Sequence, residues 1–257
     1  MKKLWVILLT VLVFISGSAL GISSVYRVDT VTLKTNLVSQ EAKQEAETLQ
    51  ARLENEYDKD SIFFADEDKA LNIIKEYPYF RISSFVKEYP NRIVIEVTEN
   101  AETYAVGKKD GGYYILSVDG TVLAIRDLPQ NPLNGEGNVI LAGLNVSGKI
   151  GEKINGDACV EGILKFSECV SKQLGGIRRN VVSVEVFART PETIFCFTMK
   201  EGVKLYISAP MVGLEEKAKK AIDEYMALSN AQKMGGKLVV LDGDGEIVVV
   251  YSAKADF

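Results

Sequence analysis

The sequence predicts an α+β chain: an N-terminal transmembrane helix, a β-α-α-β-β domain, and then a mixed β domain with flanking helices. Three patterns carry this. Residues 4–26 form a 23-residue run without a charge. The next seventy or so residues alternate between helical stripes and period-two strands. From residue 101 onward, short strands recur between glycine-rich turns. At 47% hydrophobic and 25% charged, the chain has the composition of a folded protein.

The uncharged run is LWVILLTVLVFISGSALGISSVY. About 20 apolar residues suffice for a helix to cross a bilayer. Trp5 and Tyr26 bracket the run at interfacial positions, and Lys2 and Lys3 precede it. The expectation is a transmembrane helix over residues 4–25, a cytoplasmic stub over 1–3, and the body outside the membrane. A signal peptide cut near Ala19, within Gly17-Ser18-Ala19, is the competing reading. Either one exports the body.

The first domain is expected over residues 26–99. Val31 and Leu33 alternate with Thr30, Thr32 and Lys34 as in a half-buried strand. Ser39 is a suitable N-cap for a helix with Ala42, Ala46, Leu49 and Leu53 on one face. Asp66 is suited to cap a second helix, with Ala70, Leu71, Ile73 and Ile74 apolar and Pro78 as its stop. Strands over 84–88 and 92–98 follow, joined by Tyr89-Pro90-Asn91.

The second domain is expected over residues 101–257. Its early strands, 103–108, 113–117 and 121–125, are separated by Asp110-Gly111-Gly112 and Asp119-Gly120. A buried strand at 139–141 and a helix over 157–174 come next. Strands at 181–187, 193–199 and 203–207 precede a helical stripe of Leu214, Ala218, Ala221, Ile222 and Tyr225. Glu215/Lys219 and Glu216/Lys220 sit at supporting helical spacing. A hairpin of 237–241 and 246–251 closes the sequence.

Composition excludes much chemistry. The sequence contains no His, so neither a Ser-His-Asp triad nor a His-containing zinc site is available. A net charge of −5 argues against phosphate-backbone binding. Cys159, Cys169 and Cys196 include no CxxC pair and are expected as buried free thiols. The segment from Gly143 to Ile150 spells a GxxxxGK phosphate loop, yet Ile150 stands where a magnesium-binding hydroxyl belongs. Residues 242–246 look like a tight turn, because Ile247 occupies the position where a calcium loop needs Gly. Glu96 and Glu99 read as a solvated strand face. Catalytic, cofactor and metal residues are therefore expected to be none.

Glu76-Tyr77-Pro78-Tyr79-Phe80 and the run from Phe85 to Glu99, FVKEYPNRIVIEVTE, resemble the signature of the POTRA domain. Tyr114 to Leu123, YILSVDGTVL, is similar to the segment that opens the second domain of the FtsQ/DivIB family of bacterial division proteins. The resemblance implies a bitopic divisome scaffold in the cell membrane at the division septum, not an enzyme. Its implied partners are FtsB/DivIC-like and FtsL-like single-span proteins, and its implied outcome is regulated septal peptidoglycan synthesis. An exported enzyme acting on cell wall, with a cleaved signal peptide, is the alternative.

The candidate binding residues are Ile247, Val248, Val249, Val250, Tyr251 and Ser252. A terminal strand lies readily at a sheet edge, where unpaired N–H and C=O groups accept another strand. In the family, the last strand receives the partner's extracytoplasmic segment.

Overall fold

The computed structural model describes residues 25–129, 137–156, 158–188, 192–243 and 246–254. The chain divides between Asn100 and Ala101 into two units.

In the first unit, Ser39 Oγ accepts the Ala42 N–H at 3.1 Å and starts α1, Gln40–Tyr57. Glu99 adds its carboxylate to the same end, accepting the Val38 and Ser39 N–H groups at 2.6 and 3.2 Å. Asp66 caps α2, Glu67–Ile74, through the Lys69 N–H. Around them run β1, Thr30–Asn36, β2, Phe80–Glu88, and β3, Arg92–Glu99. The sheet order is β1-β3-β2, with β1 parallel and β2 antiparallel to β3. Helix α1 buries Ala42, Leu49, Leu53 and Tyr57, and the sheet buries Ile93, Ile95 and Val97. Burying such a side chain stabilises by roughly 1.5–3 kcal/mol. Tyr57 also donates its hydroxyl to the Asp66 carbonyl at 2.5 Å, so the helix caps and the core share a residue.

Two expectations change here. Strand β2 begins at Phe80, four residues before the strand expected at 84, because Phe80 buries its ring in the core. Leu71 lies at the rim, while Ala70, Ile73 and Ile74 are buried.

The membrane-spanning helix is corrected. No helix among the described residues is long and apolar enough to cross a membrane. The longest, α1, has seven charged residues among its 18 and a single buried stripe, which suits one face of a sheet rather than lipid. Residues 4–24 of the expected span lie outside the described residues.

The second unit holds β4, Glu102–Gly107, β5, Tyr113–Ser117, β6, Val122–Arg126, and β7, Val139–Ala142. Helices α3, Ala158–Leu174, and α4, Ile177–Asn180, lead to β8, Val181–Ala188, β9, Thr193–Met199, and β10, Lys204–Ser208. Then come α5, Leu214–Ala227, α6, Asn230–Lys233, β11, Lys237–Asp242, and β12, Ile247–Ser252. All nine strands join one sheet, ordered β12-β11-β10-β9-β8-β7-β4-β5-β6. Its core takes Ile163, Phe166 and Val170 from α3 and Ala218, Ala221 and Ile222 from α5. Phe166 stacks on Phe197 with centroids 3.8 Å apart, at the centre of that core. The short helices α4 and α6 had no periodic pattern to announce them, being four residues each.

The GxxxxGK segment opens no helix. Ser147 and Asn155 exchange backbone hydrogen bonds of 2.8 and 2.7 Å across a loop. Gly143 is required there for packing: at φ +77°, a Cβ would lie 2.1 Å from the Val186 carbonyl oxygen. The three cysteines form no disulfide, but only Cys196 is buried, while Cys159 and Cys169 are half-buried on α3.

Candidate functional site

Strand β12 is the last member of the nine-stranded sheet, and no strand lies on its outer side among the described residues. Its inner side pairs antiparallel with β11, in the register Val240↔Val249 and Leu238↔Tyr251. The turn sets which backbone groups point where. The Gly243 N–H donates to the Glu246 carbonyl at 2.7 Å, so those two residues form a hydrogen-bonded pair. Such pairs alternate along an antiparallel ladder. Val248, Val250 and Ser252 therefore turn their N–H and C=O groups toward β11. Ile247, Val249 and Tyr251 turn theirs outward.

The side chains alternate as well. Ile247, Val249 and Tyr251 pack against the helix-covered core and are half-buried. Val248 and Val250, on the opposite face, are 44% and 48% exposed. Ser252 is half-buried at the end of the strand. All six expected residues thus lie on one continuous edge.

Two lysines of α5 hold this edge, and neither was foreseen in that role. Lys217 is fully buried. Its ammonium donates to the Ser208 carbonyl at 3.0 Å, the Ala209 carbonyl at 3.0 Å and Asp242 Oδ2 at 2.7 Å. All three protons are used, so the end of β10, the helix and the end of β11 are tied to one point. Ala209 adopts a left-handed backbone, φ +42°, beside it. Lys220 donates to the Ile247 carbonyl at 3.1 Å, the first outward acceptor of β12. The expected Glu215/Lys219 and Glu216/Lys220 pairs do not form among the described residues. The one warning in the sequence was Lys217 itself, a cation one position before the apolar Ala218.

Two of the three other sheet edges are covered, each in a different way. At β6, Val122 exchanges backbone bonds with Glu152 and Gly151 at 2.9 and 2.8 Å, so a loop lies along the strand's start. At β1, the Gln50 side chain donates to the Val31 carbonyl at 2.6 Å and accepts the Leu33 N–H at 2.8 Å. One side-chain amide thereby stands in for a neighbouring strand's peptide group.

Glu96 and Glu99 do not come together as a pair with chemistry. Glu99 caps α1, and Glu96 accepts from the Ser84 hydroxyl at 3.2 Å. Among the described residues, no group of three or more His, Cys, Asp or Glu side chains is arranged to hold a metal ion. The strongest pKa effects belong to structural groups. Burial pushes the Tyr104 phenol up to about 12, for example.

No family model matches this chain, and no curated protein is significantly similar to it.

Proposed function

We propose that this chain is a non-catalytic scaffold of the FtsQ/DivIB type, whose terminal strand accepts an extended segment of another protein. The partner class is the small FtsB/DivIC-like division protein, with an FtsL-like protein in the same assembly. The place is the outer face of the cell membrane at the septum, and the outcome is regulated septal peptidoglycan synthesis. The observation that carries the reading is β12 itself: a strand of alternating half-buried and exposed apolar residues, with no strand on its outer side among the described residues and only its first outward carbonyl taken, by Lys220. A peptide added there gains main-chain hydrogen bonds from the edge and selectivity from the flanking side chains. The buried Lys217 supports the reading indirectly, because it fixes the end of β11, on which β12 is paired, and a strand held in place loses less freedom on binding. The sequence likeness at residues 76–99 and 114–123 supplies the partner class. The proposal concerns the described body and includes no spanning helix.

The test is a pull-down of the full-length chain in detergent with the soluble segments of FtsB- and FtsL-type proteins from the same organism. Val249→Pro is the informative variant. The Val249 N–H points away from β11, so proline removes an outward donor and leaves the inner ladder intact. Loss of binding with an unchanged circular dichroism spectrum supports the edge. Binding untouched by the substitution moves the site elsewhere, and no binding at all returns the argument to the exported wall enzyme.

A further inference from the structure

The first unit carries an aromatic surface that its own core does not use. Tyr26, Phe63 and Tyr89 form a row, with ring centroids 4.9 Å apart between the first two and 5.7 Å between the last two. Phe63 is 52% exposed and Tyr89 59%. Phe64 beside them is 86% exposed, an unusual position for a phenylalanine that gains from leaving water. The patch is built, not accidental. The Ile62 N–H donates to the Tyr26 carbonyl at 2.9 Å, and the Phe64 and Ala65 N–H groups both donate to the Ser61 carbonyl at 3.0 Å. These bonds fix the 61–65 turn with both phenyl rings turned out.

One cation is placed beside the rings. Lys87 donates to the Phe63 carbonyl at 3.2 Å, while Arg27 is exposed and only its backbone pairs with Ser61, in a β-bridge. Among the described residues neither is in an ion pair; of the acids near them, Asp60 pairs with Lys69 and Glu88 with Arg92, while the exposed Asp29 is in no ion pair. The patch is therefore apolar and aromatic at its centre, with the Lys87 ammonium at its rim.

Its position in the chain selects the occupant. Residues 4–24 carry no charge and lead directly into Val25 and Tyr26, so the row begins where the most lipophilic stretch of the sequence ends. We propose that the Tyr26–Phe63–Phe64–Tyr89 face docks on the surface of an anionic lipid bilayer. Aromatic rings favour the headgroup region, where an apolar body and a polar tip are both satisfied. Lys87, in no ion pair, meets anionic headgroups at that depth, and the exposed Arg27 on the same segment as Tyr26 adds a second positive charge. Docking of this kind fixes the orientation of the first unit at the membrane. It stands whether or not β12 accepts a strand.

The test uses the full-length chain carrying Trp5→Phe and Phe64→Trp, reconstituted in vesicles of phosphatidylglycerol and phosphatidylcholine. The indole at position 64 is then the only tryptophan. Lipids brominated near the headgroup should quench it severalfold more strongly than they quench the free indole. Acrylamide should quench it weakly. Arg27→Gln with Lys87→Gln should lower the bromolipid quenching, and so should vesicles of phosphatidylcholine alone. Free access to acrylamide without bromolipid quenching overturns the proposal, because the ring then stays in water. Protection from both quenchers also overturns it, because protein then covers the patch. Circular dichroism at each step separates these outcomes from a misfolded variant.

Discussion

Lys220 Nζ donates to the carbonyl oxygen of Ile247 at 3.1 Å and so occupies the first outward acceptor on the terminal strand. An incoming strand that pairs from the start of β12 must displace this lysine or begin at Val249. Lys220 is half-buried, so its ammonium gives up part of its hydration to hold that position. Lys220→Met keeps the stem over the sheet and frees the carbonyl. A neutral hydrogen bond gained is worth about 0.5–1.5 kcal/mol. Partner affinity should therefore rise roughly 2- to 10-fold, as read by titration calorimetry. An unchanged affinity would place the docked segment beyond Ile247.

The Lys217–Asp242 pair predicts an asymmetry between its two members. Lys217 is fully buried, while the Asp242 side chain is about half exposed. Removing the acid leaves a buried ammonium without its counter-charge, which costs about 3–5 kcal/mol in comparable buried pairs. Removing the lysine leaves a carboxylate that water still reaches, plus two carbonyls seeking donors, for about 1–3 kcal/mol. Asp242→Ala should thus destabilise the second unit more than Lys217→Met in urea titrations. Hydrogen exchange should show the β11–β12 hairpin opening first in both. The reverse order of destabilisation would mean that Lys217 acts through its stem and not its charge.

The two lysines also show where sequence reasoning ends. Ser39, Asp66 and the stripe of Ala42, Leu49 and Leu53 were legible because a cap and its helix are local, within a few residues of each other. Ile247–Tyr251 was legible as a strand because a short run of apolar, mostly β-branched residues is local too. Lys217 was not, because its partner Asp242 lies 25 residues away and arrives only when the hairpin folds back. Lys220 looked like half of a helical ion pair with Glu216, yet a backbone carbonyl 27 residues on took it instead. Gln50 was silent for the same reason: nothing in a polar helix position announces that its amide will face Val31 and Leu33.

Gln50 leads to a prediction about solubility. Its amide satisfies one outward donor and one outward acceptor of β1, at 2.8 and 2.6 Å, and so closes that edge to other chains. Gln50→Ala removes the cover. Stability of the first unit should fall by about 1–2 kcal/mol for the two lost bonds to β1, the exposed third bond to Glu54 adding little. Self-association should rise, read as a concentration-dependent shift in sedimentation velocity. Gln50→Glu keeps an acceptor for Leu33 but faces Val31 with a second oxygen, so it should destabilise without rescuing the edge. A monomeric, fully stable Gln50→Ala protein would show that β1 needs no cover.

Asp119 gives the acid limit of the second unit. Burial raises its pKa, but hydrogen bonds from Lys153, Ser117 and Thr121 outweigh that and hold the carboxyl well below its ordinary 3.8. Lys153 sits 2.6 Å away, and the Thr121 hydroxyl donates at 2.9 Å. The Asp119-Gly120 turn between β5 and β6 is thereby tied to the loop that covers β6, since Lys153 also donates to the Asp119 carbonyl at 2.6 Å. A folded pKa below the unfolded one means that the contribution is present above about pH 4. It is lost as the pH falls from there through the folded value. Asp119→Asn cannot ionise, and its amide reproduces only part of the network. The variant should be less stable at neutral pH, with the difference from the parent shrinking below pH 4 in denaturant titrations. A constant difference down to pH 2 would mean that the turn depends on the shape of the side chain and not on its charge.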